Sequence, residues 1–140
     1  MPRGAKRRGP AAATGIGPGT GRTAAGQAEQ FSTARLAALR ASGRPVFVDM
    51  TAAWCVTCLV NERVALDRAP VQAEFAARQV TLLVGDWTRQ DPALTAYLRA
   101  HGRDGVPLYV FYPPGAPHGR VLPQLLTPGL VLDALRGAAS

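Results

Sequence analysis

RPVFVDMTAAWCVTC, residues 44–58, joins the two signals that decide the fold. Residues 45–50, rich in Val and Phe, read as a buried strand. Residues 58–66 read as a helix, with Val60 and Val64, joined by Leu59 and Ala65, as its apolar side. Cys55 therefore falls where a strand ends and a helix begins. A thiolate at such a junction is stabilised by the positive end of the helix dipole and by free backbone N–H groups.

This makes Cys55 the expected attacking thiolate, with Cys58 one turn later as the group that resolves a mixed disulfide. Two intervening residues permit a disulfide across the first helical turn. Trp54 is expected to shield one flank of the sulfur, and Val56 and Thr57 occupy the positions that tune the reduction potential. Two acids bracket the pair. Asp49 stands six residues before Cys55 in the buried strand, and Glu62 seven residues after it in the helix. A buried carboxylate near a thiol raises the thiol's pKa by repulsion and its own by desolvation, and it can move protons as the thiols ionise. The competing readings are a strand-end Asp49 bonded to backbone and a solvated Glu62.

Other readings of the cysteines stand beside the redox one. They can be two small buried residues, or half of a metal site. The chain has two cysteines, too few for a disulfide framework or a four-ligand zinc site. The two histidines, His101 near a helix end and His118 in a turn, lack ligand-like spacing, so no metal is expected.

Outward from this stretch, helix and strand signals alternate. Ser32 caps a helix over residues 34–41, with Leu36 and Leu39 on one face and Gly43 as its stop. Residues 71–78 read as a short helix with Val71, Phe75 and Ala76 inward, and residues 80–86 as a second buried strand. Asp91-Pro92 starts a helix lined by Leu94, Tyr97 and Leu98 and ended at Gly102. PLYVFY, residues 107–112, is a third strand, stopped by Pro113-Pro114-Gly115. Residues 119–123 form a fourth at the sheet edge, because Pro123 cannot donate to a ladder. Thr127-Pro128 starts the last helix, with Leu130, Val131, Ala134 and Leu135 inward. The pattern implies an α/β domain, a central mixed β-sheet flanked by helices on both faces.

A length of 140 residues suits one domain. Aromatic residues are only 6%, so Ala, Val and Leu must fill most of the core. The charge is unevenly placed. Residues 1–28 hold Arg3, Lys6, Arg7, Arg8 and Arg22 and no acid, whereas the remainder holds 11 Arg against 9 acids. The basic balance thus belongs to the tail, and no nucleic-acid footprint is expected on the folded part. Sixteen of residues 1–26 are Gly, Ala or Pro, too little apolar surface to offset the entropy of ordering. Residues 1–28 are expected to be a disordered tail or linker and residues 29–140 the domain; a basic arm for anionic membrane or nucleic acid is the sharper alternative. MPRGAKRRG resembles the start of a signal peptide, but no apolar stretch follows, and no run approaches a membrane span. Made alone as written, the chain is expected to stay in the cytoplasm.

FVDMTAAWCVTC, residues 47–58, resembles the active-site segment of the thioredoxin superfamily, and the likeness extends over about residues 31–137. It implies a thioredoxin-like fold and a cis proline facing the cysteines. Pattern alone makes Pro107 a trans, strand-initial proline; the resemblance makes Val106-Pro107 cis, with Val106 offering backbone groups to a substrate strand. A narrower likeness rests on WCVTCLVNERVAL, GDWTRQDPAL, RDGVPLYVFYPPG and VLPQLLT. These are similar to the carboxy-terminal thioredoxin-like domain of DsbD, the bacterial thiol:disulfide interchange protein, and to ScsB-type copper-tolerance relatives. Asp49 and Glu62 stand where that subfamily has two carboxylates near its cysteines. Leu59 stands where many thioredoxins have Lys, leaving less positive charge beside the pair.

The resemblance implies a protein-disulfide reductase that faces the periplasm. It would take electrons from a membrane domain and pass them to a periplasmic acceptor domain, and so to disulfide isomerases and cytochrome c maturation. Protein thiols and disulfides are its expected partners, a monomer its expected state, and the cysteine pair its only redox group, without a cofactor. The alternatives are a general cytoplasmic thioredoxin-like reductase fed by a flavoprotein, and a module holding Cu(I) between two soft thiolates.

Overall fold

The computed structural model describes residues 28–137. The expected tail lies outside the described residues as far as residue 27, and Ala28 already belongs to a strand. The chain then runs β1 (Ala28–Gln30), α1 (Thr33–Ala41), β2 (Val46–Thr51), α2 (Val56–Asn61) and a π-helical turn (Glu62–Leu66). It continues through α3 (Ala69–Ala77), β3 (Thr81–Asp86), α4 (Pro92–Ala100), β4 (Leu108–Tyr112), β5 (Arg120–Val121) and α5 (Pro128–Arg136).

The three expected N-caps are in place. Ser32 accepts from the Arg35 N–H at 3.0 Å, Asp91 from the Ala93 N–H at 2.8 Å, and Thr127 from the Leu130 N–H at 3.1 Å. Each satisfies a donor the helix cannot pair itself. Gly43 and Gly102 follow α1 and α4 with φ of +80° and +73°, a left-handed region in which a side chain is strained.

The sheet has the order β1-β3-β2-β4-β5. β1 and β2 pair parallel with β3, β4 pairs antiparallel with β2, and β5 antiparallel with β4. This is the expected mixed sheet, with one strand more than the sequence reading contains. β1, with sequence AEQ, carries no β-branched or aromatic residue, and its backbone ladder to β3 defines it. The expected edge strand at residues 119–123 contracts to Arg120–Val121.

Alternation along the strands divides the core in two. Phe47, Leu82, Tyr109 and Phe111 pack against Ala65, Leu66, Val71, Phe75, Val131 and Leu135 on one face. Val46, Val48, Met50, Leu83, Leu108 and Val110 pack against Leu36, Leu39, Leu94 and Leu98 on the other. α2, α3 and α5 thus cover the first face, and α1 and α4 the second. Successive strand residues face opposite sides, so Asp49 shares the face of Phe47, beneath α2.

Five residues expected to face inward are exposed instead. Val60, Val64 and Leu59 are exposed, and the inner side of α2 and its π-helical turn is Cys58, Asn61, Ala65 and Leu66. The disulfide turns Cys58 inward, and a helical period then brings residues 61 and 65 to the same side and rotates residues 60 and 64 away. The helix also begins two residues earlier than expected, at Val56. Ala76 and Leu130 are exposed, because Val71 with Phe75, and Val131 with Ala134 and Leu135, fill the inner faces of α3 and α5.

Candidate active site

Parallel β2 ends at Thr51, and a tight turn, in which the Cys55 N–H donates to the Ala52 carbonyl at 3.1 Å, leads into α2. Cys55 is the N-cap of α2, in an extended conformation, and its Sγ accepts from the Cys58 N–H at 3.1 Å. A sulfur thus occupies the place an oxygen fills in the caps of α1, α4 and α5, aimed at the end of the helix where positive partial charge collects. Cys55 and Cys58 are joined as a disulfide with Cα atoms 5.3 Å apart. Cys55 retains 7% of its surface while Cys58 is 0% exposed, so a partner reaches Cys55 first.

The structure brings most of the expected residues to this point. Val106 packs against Ala52, Cys55 and Cys58, and the Val106-Pro107 peptide is cis. Pro107 is buried immediately before β4, and the Arg103 guanidinium donates to its carbonyl at 3.0 Å. Trp54 is 52% exposed; it lies beside Trp87 at a ring separation of 6.0 Å. Val56 is exposed and Thr57 half-buried on the first turn of α2.

The two acids differ in setting. Asp49 is 1% exposed and sits opposite Tyr109 of β4 and Val84 of β3. Residues paired across an antiparallel ladder share a face, so Asp49 and Tyr109 both lie under α2. Glu62 is half-buried at the junction of α2 and the π-helical turn.

Two groups escape the sequence reading. Asn61, buried on the inner side of α2, donates through Nδ2 to the Tyr109 hydroxyl at 2.9 Å and to the Gln124 carbonyl at 2.7 Å, and its Oδ1 accepts from the Leu126 N–H at 3.0 Å. One amide thereby ties α2 to β4 and to the segment before α5. Its signal is a polar residue three positions after Cys58, on the cysteine's own helical face. Thr88, after β3, bonds the turn that carries Trp54 across 34 and 35 residues of sequence, and nothing local announces it.

Neither histidine joins the site. His101 follows α4, with Nδ1 3.0 Å from the Tyr97 carbonyl, and His118 is exposed in a turn. Among the described residues no three His, Cys, Asp or Glu side chains group as metal ligands.

A parallel-centred mixed sheet, a cysteine pair at the start of the helix after its central strand, and a cis proline beside it define a class. The chain belongs to the thioredoxin-like family, whose model matches residues 27–114, and its cysteine pair makes it a thiol–disulfide oxidoreductase. It is 36% identical over 110 residues to the thiol:disulfide interchange protein DsbD 1 of Pseudomonas aeruginosa, covering 76% of this chain and 18% of that protein. It is 37% identical over 75 residues to DsbD of Ralstonia nicotianae, covering 54% of this chain and 12% of that one. The chain therefore spans less than a fifth of the length of these relatives. Among solved structures, chloroplastic thioredoxin z matches with a TM-score of 0.62 at 26% identity, covering 81% of this chain and 96% of that one. The reduced C-terminal domain of Neisseria meningitidis DsbD has the same fold, with a TM-score of 0.59 at 20% identity, covering 76% and 96%.

Proposed function

We propose that this domain is a protein-disulfide reductase that relays electrons in the manner of a DsbD carboxy-terminal domain. The observation that carries the reading is the cap geometry: the more exposed cysteine sits at the start of α2 with its sulfur on a backbone N–H, and the other is sealed behind it. In the reduced protein the Cys55 thiolate attacks a partner's disulfide. A new S–S bond forms, and one partner sulfur leaves as a thiolate. Cys58, deprotonated, then attacks the Cys55 sulfur, restores the Cys55–Cys58 disulfide and releases the second partner thiolate. Two electrons pass to the partner and two protons complete its thiols. The cysteine pair carries the electrons, so the step needs no metal or organic cofactor.

Asp49 and Glu62 are assigned to tuning and proton transfer. A carboxylate beneath α2 opposes ionisation of a nearby thiol, which keeps the reduced pair protonated until a partner docks. Val106 and Pro107 form the wall that presents the substrate strand, and Trp54, Val56 and Thr57 the exposed rim. The kinship with DsbD supports a membrane electron donor, a periplasmic acceptor domain and a place facing the periplasm. No helix among the described residues is long and apolar enough to cross a membrane.

The test uses the Cys58→Ala chain mixed with the oxidised amino-terminal periplasmic domain of a DsbD. The expected result is a mixed disulfide through Cys55, seen as the summed mass. Absence of the adduct, together with rapid reduction of the wild-type disulfide by a flavoprotein thioredoxin reductase, would assign the chain to the cytoplasmic thioredoxin type instead.

A further inference from the structure

The turn that presents Cys55 is held from outside its own segment. Asp86, the last residue of β3, accepts at Oδ1 from the Thr88 N–H at 2.9 Å and from the Thr88 hydroxyl. That hydroxyl, its proton committed to Asp86, accepts in turn from the Ala53 N–H at 2.8 Å. The Thr88 carbonyl accepts from the Trp54 indole Nε1–H at 3.1 Å. Residue 88 is itself anchored. The Trp87 N–H donates to the Thr51 carbonyl at 2.7 Å, the Trp87 indole is buried and donates to Thr95 Oγ1 at 2.8 Å, and the Gln90 N–H closes the turn onto the Trp87 carbonyl at 2.8 Å.

We infer that Thr88, oriented by Asp86, is the positioning residue that fixes the Ala53 amide and the Trp54 indole, and so the pose of Cys55 and Trp54 toward a docking partner. The inference rests on the disulfide-exchange reading for its kinetic consequence and on hydrogen bonding alone for its structural one. Trp54 is half out in solvent, with the Trp87 ring on one side; bonds at its indole and at the Ala53 N–H add a tether to that one-sided packing. An exposed group held in its docking pose loses less entropy when a partner binds.

The test compares Thr88→Val, which keeps the shape but removes the hydroxyl, with Thr88→Ser, which keeps the hydroxyl, and with Asp86→Asn. Amide hydrogen exchange at Ala53 is expected to speed about 3- to 10-fold in Thr88→Val, the range that loss of one hydrogen bond gives, and to remain near wild type in Thr88→Ser. The kcat/KM for reduction of insulin is expected to fall about as far in Thr88→Val and to be restored in Thr88→Ser, with Asp86→Asn between them. The rate at which iodoacetamide alkylates reduced Cys55, which needs no docking, is expected to change less than about twofold. Unchanged protection of Ala53 in Thr88→Val, or equal losses in the Val and Ser variants, would overturn the inference. A wild-type chain that fails to reduce insulin refutes the exchange reading, and the exchange rate at Ala53 still decides the tether.

Discussion

The Asn61 amide of α2 donates to the hydroxyl of Tyr109 on β4 at 2.9 Å, and Tyr109 is the residue paired with Asp49 on β2. The helix that carries Cys58 is thus pinned to the strand pair that carries the buried acid. Asn61→Ala takes the acceptor from the Leu126 N–H and the Asn61 donor from the Gln124 carbonyl. Unmet buried groups cost about 1–3 kcal/mol each, so the urea midpoint is expected to fall by an amount equivalent to about 2–4 kcal/mol. A midpoint equal to wild type for Asn61→Ala contradicts the pinning role.

Asp49→Asn replaces the buried carboxyl on the sheet face under α2 with an amide of the same size that cannot ionise. The thiolate then meets less repulsion, so the Cys55 pKa is expected to fall, and the curve of alkylation rate against pH to move to lower pH by about one unit. An unchanged curve contradicts the assignment of Asp49 to thiol tuning. Glu62→Gln is expected to move the curve the same way by less, since Glu62 is only half-buried.

The Tyr97 and Tyr112 hydroxyls lie 2.6 Å apart. Burial first, then this hydrogen bond and the neighbouring phenol, holds the Tyr97 proton far above the ordinary tyrosine value of 10.0, with Arg40 opposing. The folded chain keeps the proton where the unfolded chain releases it. Stability is therefore full below about pH 10 and declines as pH rises beyond it, by up to about 1.4 kcal/mol per pH unit. Tyr97→Phe is expected to remove this part of the alkaline decline, read as the difference in urea midpoint between pH 9 and pH 11.

A Cβ at Gly119 would stand 2.6 Å from the Tyr112 ring and 2.5 Å from Val110 Cγ1. Both neighbours are buried in β4 and cannot swing aside. Gly119→Ala is expected to destabilise by about 1–3 kcal/mol, as overpacking does, with little effect on the chemistry of reduced Cys55. A thermal midpoint equal to wild type contradicts the close approach.

Much of this architecture is legible in the sequence because its signals are local. Strand runs such as PLYVFY and caps such as Asp91-Pro92 act within a few residues, and the cysteine pair at the strand–helix junction marks the site. What is not legible depends on distant partners. β1 is a strand through its ladder to β3, not through its AEQ composition. The inner face of α2 is decided by the disulfide and by Asn61, against the apolar row of Val60 and Val64. Thr88 reaches Ala53 and Trp54 only after the sheet has formed. The Pro107 peptide is trans by pattern and cis by family likeness, and the structure has it cis.

The central claim, that Cys55 and Cys58 form an exchange couple, is tested most directly by titrating the pair in defined thiol buffers and reading the alkylation mass shift. The account predicts one reversible two-electron transition between about −180 and −270 mV, the span of known redox domains, toward its reducing end. A pair that never closes, or that resists reduction throughout that span, would contradict it.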